Sequence, residues 1–482
     1  MKTKRLGINA ILNVIRSTLS IIFPLITYPY ALRVIGVKNI GAVSYVTSIV
    51  NYFSLFAMLG VSSYAIREGA KVRDNQKKFN IFANEVFSIN IITTSISVIV
   101  FILVVMCVPE FRKYVHLFAI LGLSIVFTTI GVDWINTIYE DYLFITVRGI
   151  IVQLISLILL FCIVKGPQDY LKYAFLQIFS SGFIAISNWI HCRKYAKVKI
   201  VLHPDIKKHL PRLLILFSNS LAISIYVNFD TTMLGWIKDA YDVGIYSTSV
   251  KIYSAIKSVM MSIYSVAIPR LAAMYGKQDI KGFKNLYTKL WAYLAILLIP
   301  AGIGLICVSK EVILVFGGRS YIDGVQSLRI LAGALIFSIF GGLITTCLNI
   351  TINREKDNLM STILSSLLNC GLNFIFIPLW SYNGAAVTTL FAELFVLVFC
   401  FIRVPNKEEY MDLRNISKKI LEAIIACIPI LFVAICVHTF INNYLISLLL
   451  IVVFGGALYF LGLILFRNEE LLGSLKILKN KF

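Results

Sequence analysis

Two basic residues lie where a charge is costly. Arg16 and Lys251 each sit well inside a long apolar run, and an ionised side chain at such a depth costs about 3 kcal/mol or more unless water or a counterion receives it. A hydrated cavity and a buried ion pair both remain open as the recipient. Around Lys251 the polar residues are ordered. At about 100° per residue, Ser247, Lys251, Ser254, Ser258 and Ser265 fall within roughly 60° of helix surface, while Ile252, Val259 and Ile263 lie off that stripe. Arg16 has similar company in Asn13, Ser17, Ser20 and Thr27, and a third run carries Ser44, Ser48, Asn51 and Ser62. A long polar stripe does not face lipid. Taken singly, such Ser and Asn residues read as hydrogen-bonding glue between helices in preference to ligand-binding groups. A stripe that contains a cation can in addition hold a phosphate, which needs charge where packing needs only volume and hydrogen bonds.

The intramembrane acids are Glu85, Asp133, Asp230 and Glu393. Each is a candidate to pair with those cations or to carry a coupling ion, and Asp230, beside Asn228, Thr231 and Thr232, is the deepest in a polar setting. Pro24 and Pro29 can bend the run that carries Arg16 and free backbone carbonyls, which membranes tolerate only against protein or water.

The elements that must position these residues are membrane helices. The chain has 482 residues, of which 59% are hydrophobic and 14% charged, which excludes a soluble fold of this length. A helix needs roughly 20 apolar residues to cross hydrocarbon, and about fourteen such spans follow one another. Spans 1 and 2 fall at about 9–32 and 40–66, spans 7 and 8 at about 211–236 and 241–268, and spans 11 and 12 at about 360–379 and 384–402, each of roughly that length. Most Lys and Arg residues occur in every second loop, densest in 67–78, 193–212 and 270–289, so both termini are expected in the cytoplasm and the 165–172 and 310–329 loops outside. The first run has no small-residue cleavage site and reads as a retained helix in preference to a signal peptide.

A net charge of +21 would suggest nucleic acid in a soluble protein. Here topology and anionic headgroups account for it, and no nucleic-acid partner is expected. The cysteines lie mostly in or beside apolar spans without a CxxC pair, so neither disulfide nor zinc is expected. His203 and His209 fall in a basic loop without a second metal ligand at helical spacing, and read as solvated loop histidines. Tyr275-Gly276-Lys277-Gln278 lacks the upstream Gly and the Ser/Thr of a phosphate loop. No cofactor is expected, and active transport would draw on an H+ or Na+ gradient, the membrane potential or a downhill substrate.

An internal repeat organises the spans. Sliding the chain by 203 residues places Gly41-Ala42-Val43-Ser44 on Gly244-Ile245-Tyr246-Ser247, Ser62 on Ser265 and Arg67 on Arg270. Spans 1 and 2 then overlay spans 7 and 8 with the same orientation, as expected of two lobes that rock about a central site. The expected domains are an N-lobe at 1–202, a C-lobe at 203–403, and a linker with spans 13 and 14 at 404–482.

At these residues the chain resembles a known family. Pro29-Tyr30-Ala31-Leu32-Arg33-Val34-Ile35-Gly36, then Gly41 and Tyr45, then Gly60 and Tyr64 to Glu68, look like the opening of bacterial lipid-linked oligosaccharide flippases. Asn228-Phe229-Asp230-Thr231-Thr232-Met233-Leu234-Gly235, Val243-Gly244-Ile245-Tyr246, Lys251-Ile252 and Pro269-Arg270-Leu271 are similar to that family's recurring pattern. Ile40 departs from it, where the family usually has an aromatic. These are O-antigen and capsule repeat-unit transporters of the multidrug/oligosaccharidyl-lipid/polysaccharide superfamily. The resemblance implies an all-α, MATE-like integral membrane fold in which two six-helix lobes, related by a pseudo-two-fold axis, enclose a cavity, with two further C-terminal helices. It also implies movement of an undecaprenyl-pyrophosphate-linked oligosaccharide from the cytoplasmic to the outer leaflet of the bacterial cytoplasmic membrane. Membrane lipids, a polysaccharide polymerase and glycosyltransferases of the same pathway would be its partners.

In that reading Arg16 and Lys251 take phosphate oxygens, Asn13, Asn51, Ser247 and Ser254 bind sugars, and Asp230 couples an ion. Tyr28, Tyr45, Tyr226 and Tyr253 could stack on sugar rings, although packing explains most tyrosines. An antiporter for cationic drugs would want a cavity dominated by acids. A membrane glycosyltransferase or polymerase would need a sizeable external loop or an acidic metal motif.

Overall fold

The structure, a computed structural model, describes residue 19 and residues 22–472, apart from the side chain of Asn219. Arg16 and Asn13 therefore lie outside the described residues, as do Ser17 and Ser20. Among the described residues the regular structure is helical throughout, without a strand.

The chain divides into two compact units after Gly244. The first contains α1 (Ile22–Ile35), α2 (Val37–Met58), α3 (Val61–Val72), α4 (Gln76–Cys107), α5 (Val115–Ile130), α6 (Asp133–Ile138), α7 (Tyr142–Ile163), α8 (Tyr170–His191) and α9 (Ile206–Ile237). Helix α10 (Ala240–Ser265) opens at its end and continues into the second unit. There follow α11 (Ile268–Gly276), α12 (Ile280–Cys307), α13 (Ser309–Phe316), α14 (Val325–Gly342), α15 (Glu355–Arg403), α16 (Lys407–Tyr410), α17 (Leu413–Ala426), α18 (Ile428–Phe440), α19 (Tyr444–Leu450) and α20 (Gly456–Leu465).

Among the described residues, 12 helical stretches are long and apolar enough to cross a membrane, and α1 is a shorter apolar helix that coincides with the end of span 1. One of the 12, α15, is 49 residues long and holds two spans, because Ser381 breaks it with φ 49° and ψ −129°. A straight helix would hold Ser365 and Ala392 about 40 Å apart at about 1.5 Å per residue, yet the Ser365 hydroxyl donates to the Ala392 carbonyl at 3.0 Å. The two arms are thus antiparallel neighbours. Thr388 Oγ1 donates to Asn373 Oδ1 at 2.6 Å across them, and Gly384 lets them close, since a Cβ there would strike the Phe376 carbonyl. Spans 11 and 12 accordingly fall where hydropathy places them, and about fourteen crossings result.

In the first unit α2 is the central helix, packed by α4, α5, α8 and α9. Its start also crosses the start of α10. A Cβ on Gly41 would strike the carbonyl of Ala240, and one on Gly244 would strike the carbonyl of Val37. Val37 and Ala240, like Gly41 and Gly244, are 203 residues apart, so each member of the repeat meets the other's mate. The two contacts are thus reciprocal. Small residues allow the backbones to approach this closely, the usual basis of helix association in lipid. At one end of the unit Phe79, Phe82, Phe87, Trp134, Tyr64 and Leu213 gather into a core that binds α3, α4, α6 and α9.

Candidate functional site

Helix α10 sorts its residues by side. Ile252, Tyr253 and Tyr264 are buried, whereas Lys251, Ser258 and Ser265 are exposed and Ser247 and Ser254 half-buried. The polar stripe is therefore part of the accessible surface of the helix, which also takes in Val259 and Met261. Ser258 Oγ is tied back to the Ser254 carbonyl at 2.8 Å, while Ser247 Oγ is buried without a hydrogen-bond partner among the described residues. Tyr253 does not present its ring to a ligand: its hydroxyl donates to Glu393 Oε1 at 3.0 Å inside the unit.

In the first unit α9 lays a polar row against α2. Ser48 Oγ lies 2.9 Å from Thr232 Oγ1, and the exposed Asn51 donates from Nδ2 to Asn228 Oδ1 at 3.4 Å. Ser48 is 3% exposed, so for this residue the role of glue is the one realised. Asp230, 5% exposed, is buried on the same helix. Tyr45 is also a packing residue and not a sugar platform. Its ring covers Gly235, where a Cβ would collide with it, and it meets Phe111 and Tyr114 edge-on at 6.4 and 5.8 Å. Tyr28 and Tyr226 are half-buried.

Three of the four membrane acids pair with cations other than those expected. Glu393 takes Lys257 Nζ at 2.8 Å, and Lys257 lies two-thirds of a turn around α10 from Lys251. Asp133 Oδ1 sits 3.6 Å from Arg148 Nη2 and accepts from Asn188 Nδ2 at 3.0 Å. Asn188 in turn accepts from Arg148 and from Asn136, the latter at 2.9 Å. Glu85 is held by Lys208 at 3.2 Å and by His209 at 2.9 Å. Lys257 and Arg148 escape a search for polar stripes because each is a lone charge on an otherwise apolar face. The i, i+4 spacing of Tyr253 and Lys257 is the local signal that was available for the first.

His209 corrects the reading of a solvated loop histidine. It is fully buried, with Nδ1 2.7 Å from the Tyr64 hydroxyl and Nε2 on Glu85. Helix α9 begins at Ile206, so the basic segment is already helical there and its first turn docks on the aromatic core. Around it Glu68, Lys71, Lys78, Lys208 and Arg212 line an open cavity of about 500 Å³. Glu68 receives Lys71 at 2.9 Å and Arg212 at 3.2 Å. Nearby, burial pushes the Asp141 carboxyl up, but donors from Tyr195 Oη at 2.5 Å, His191 Nε2 at 2.8 Å and the Phe144 N–H outweigh it and hold the group below its ordinary value.

The arrangement sets a cation and hydroxyls along one stripe of an apolar span and ties Glu85, Asp133 and Glu393 to other cations. It resembles known transporters. A model described as a polysaccharide biosynthesis protein matches residues 6–275, and one described as the lipid II flippase MurJ matches residues 213–455. A protein of Escherichia coli (strain K12) named "Putative O-antigen transporter" is 27% identical over 403 residues, which is 79% of this chain and 93% of that one. Its namesake in Shigella dysenteriae is 22% identical over 384 residues, 78% and 94% of the two chains. Among solved structures, the lipid II flippase MurJ in an inward closed conformation superposes with TM-score 0.74 at 17% identity, over 95% of this chain and 99% of that one. An inward-facing multidrug resistance MATE family transporter gives 0.55 at 14% identity, over 83% and 98%. The fold is thus MATE-like, and with more than half its length matched by the first model the chain belongs to the polysaccharide biosynthesis protein family.

Proposed function

We propose that this chain is a flippase for a lipid-linked oligosaccharide, moving an undecaprenyl-pyrophosphate-linked repeat unit from the cytoplasmic to the outer leaflet for polysaccharide assembly. It is a multi-pass membrane transporter and not an enzyme. The observation that carries the reading is Lys251, a cation on the accessible polar stripe of an apolar helix. A diphosphate and sugars cannot cross hydrocarbon unaided, and a cation with flanking hydroxyls substitutes for the water they lose. Lys251, with Ser247 and Ser254, and Arg16, with Asn13 and Asn51, are assigned to the headgroup. The lobes 1–202 and 203–403 are related by a pseudo-two-fold, which the reciprocal Gly41 and Gly244 crossing supports, and 404–482 adds the last two spans. Asp230 assists coupling to an H+ or Na+ gradient or to the membrane potential.

The chain resides in the bacterial cytoplasmic membrane with both termini in the cytoplasm, a reading supported by the basic loops. Glycosyltransferases supply its substrate and a polymerase consumes its product. A cation on the stripe disfavours the drug/cation antiporter reading. Lys251→Arg and Arg16→Lys are expected to keep partial export, whereas Lys251→Gln and Arg16→Gln lose surface polysaccharide at near-normal membrane abundance. Wild-type export from the double Gln variant refutes the site assignment.

A further inference from the structure

A second basic cavity lies wholly within the second unit. It encloses about 700 Å³ between the α13 region and the junction of α18 and α19, inside the about 300–1,000 Å³ typical of small-ligand sites. Lys310, Arg319 and Arg329 line it together with Glu311, His438 and Tyr444. These cations are on the loop side opposite the basic segments, where the orientation rule disfavours them. Among the described residues none of the three forms an ion pair.

The wall of the cavity holds a polar group that its own chain does not satisfy. Glu311 is 4% exposed. One carboxylate oxygen, Oε1, lies 3.1 Å from His438 Nε2, and the other, Oε2, is buried without a partner among the described residues. Leaving a buried acceptor unmade costs about 1–3 kcal/mol or more for a charged group. The surroundings are fixed, because Val308, Ala434 and Ile451 form a small core with Val312, Val437 and Leu448 that clamps α13 to α18 and α19. The carboxylate is thus held in place.

We propose that this cavity binds a phosphorylated saccharide, as an outer-side receiving site for the headgroup; this rests on the flippase reading. The guanidinium groups of Arg319 and Arg329, with Lys310, take the phosphate oxygens in the forked geometry that suits them. A sugar hydroxyl donates to Glu311 Oε2 without adding negative charge beside the carboxylate, whereas inorganic phosphate has only its own P–OH to offer. The half-open Tyr444 ring offers a face for the sugar. The site gives the last two spans a task, since α18 and α19 supply His438 and Tyr444.

The shared chemistry, a phosphate bearing hydroxyls, also belongs to phosphatidylglycerol. The test therefore uses the full chain in nanodiscs of phosphatidylcholine, titrated with radiolabelled glucose 1-phosphate. Saturable binding is expected, weakened at least tenfold by Arg319→Gln with Arg329→Gln, both at exposed positions that leave the fold intact. Glu311→Gln should weaken glucose 1-phosphate while leaving inorganic phosphate equal or tighter, and Lys251→Gln should leave the arginine-dependent component in place. Unchanged binding in the double arginine variant overturns the site. Displacement of the sugar phosphate by phosphatidylglycerol in the same discs, lost with the two arginines, overturns the saccharide assignment in favour of a lipid. Export measured in parallel separates this outcome from failure of the flippase reading, which is decided at Lys251 and Arg16.

Discussion

Replacing Lys257 with Met should destabilise this protein more than replacing Glu393 with Gln, and replacing both should cost little. The pair is closed: Lys257 Nζ lies 2.8 Å from Glu393 Oε1, and Tyr253 Oη lies 3.0 Å from the same oxygen. The Glu393 side chain is 6% exposed and that of Lys257 26%. Lys257→Met strands a carboxylate with one phenol donor, at a cost of about 3 kcal/mol from a charge in hydrocarbon up to about 5 kcal/mol for a broken buried pair. Glu393→Gln leaves a cation that can still reach water, at about 1–3 kcal/mol. Lys257→Met with Glu393→Gln removes both charges, and the glutamine carbonyl still accepts from the Tyr253 hydroxyl, for a net change of about 1 kcal/mol. The cycle then yields a coupling of about 3–7 kcal/mol between contacting residues. Unfolding in dodecyl maltoside micelles titrated with dodecyl sulfate, followed by loss of helicity, measures all four proteins. Additivity to within about 0.5 kcal/mol refutes the account of a structural ion pair. So would loss of polysaccharide export in a stable double variant, because the pair would then belong to transport.

Asp230→Asn should weaken gradient-dependent export while the protein folds and inserts normally; export equally sensitive to a collapsed gradient in both proteins assigns Asp230 to structure. Because the folded Asp141 carboxyl lies below its ordinary value, its contribution is present above about pH 4 and is lost as pH falls through the folded value. Thermal unfolding of Asp141→Asn should therefore depend less on pH on the acid side than that of the wild type, and parallel curves would contradict this. Gly41→Leu should disrupt the crossing of α2 and α10, costing about 3 kcal/mol or more in the same micelle titration; a neutral result removes the support for a close two-fold contact.

The spans were legible because hydrocarbon imposes one requirement on every crossing helix, a long apolar run. Even the Ser381 reversal could be placed, since Ser381-Tyr382-Asn383-Gly384 interrupts a run too long for one crossing. The stripe on α10 was legible for the same reason: polar residues at helical spacing stand out against an apolar ground. What hydropathy could not read was partnership. Glu85 and His209 are 124 residues apart, and only the docking of the first turn of α9 on α3 and α4 makes a buried pair from a basic loop. Lys257 likewise finds its acid 136 residues away, while Arg148 of α7 meets its own on the preceding helix α6. The fate of Ser48 and Tyr45 depended on how closely α9 lies on α2, which follows from Gly235 and is invisible until the two helices meet.

The reversal at Ser381 also bears on how the chain is made. Asp357 receives Arg354 at 2.5 Å and Arg403 at 3.7 Å, which stitches the two outer ends of α15 together on one side. The tip between the arms, from Trp380 to Asn383, contains no charged residue. A nascent segment of this kind carries its basic residues only at its base, so no Lys or Arg has to be translocated when it enters the bilayer, and Glu393 is the one acid between the two ends. Its two arms can partition from the translocon together as a preformed hairpin, with Thr388 and Asn373 already sharing their polar atoms and not presenting them singly to lipid. The orientation of the pair is then inherited from the arginines at its base, and moving one of these to the tip would be expected to stall insertion before any defect in the finished transporter could show.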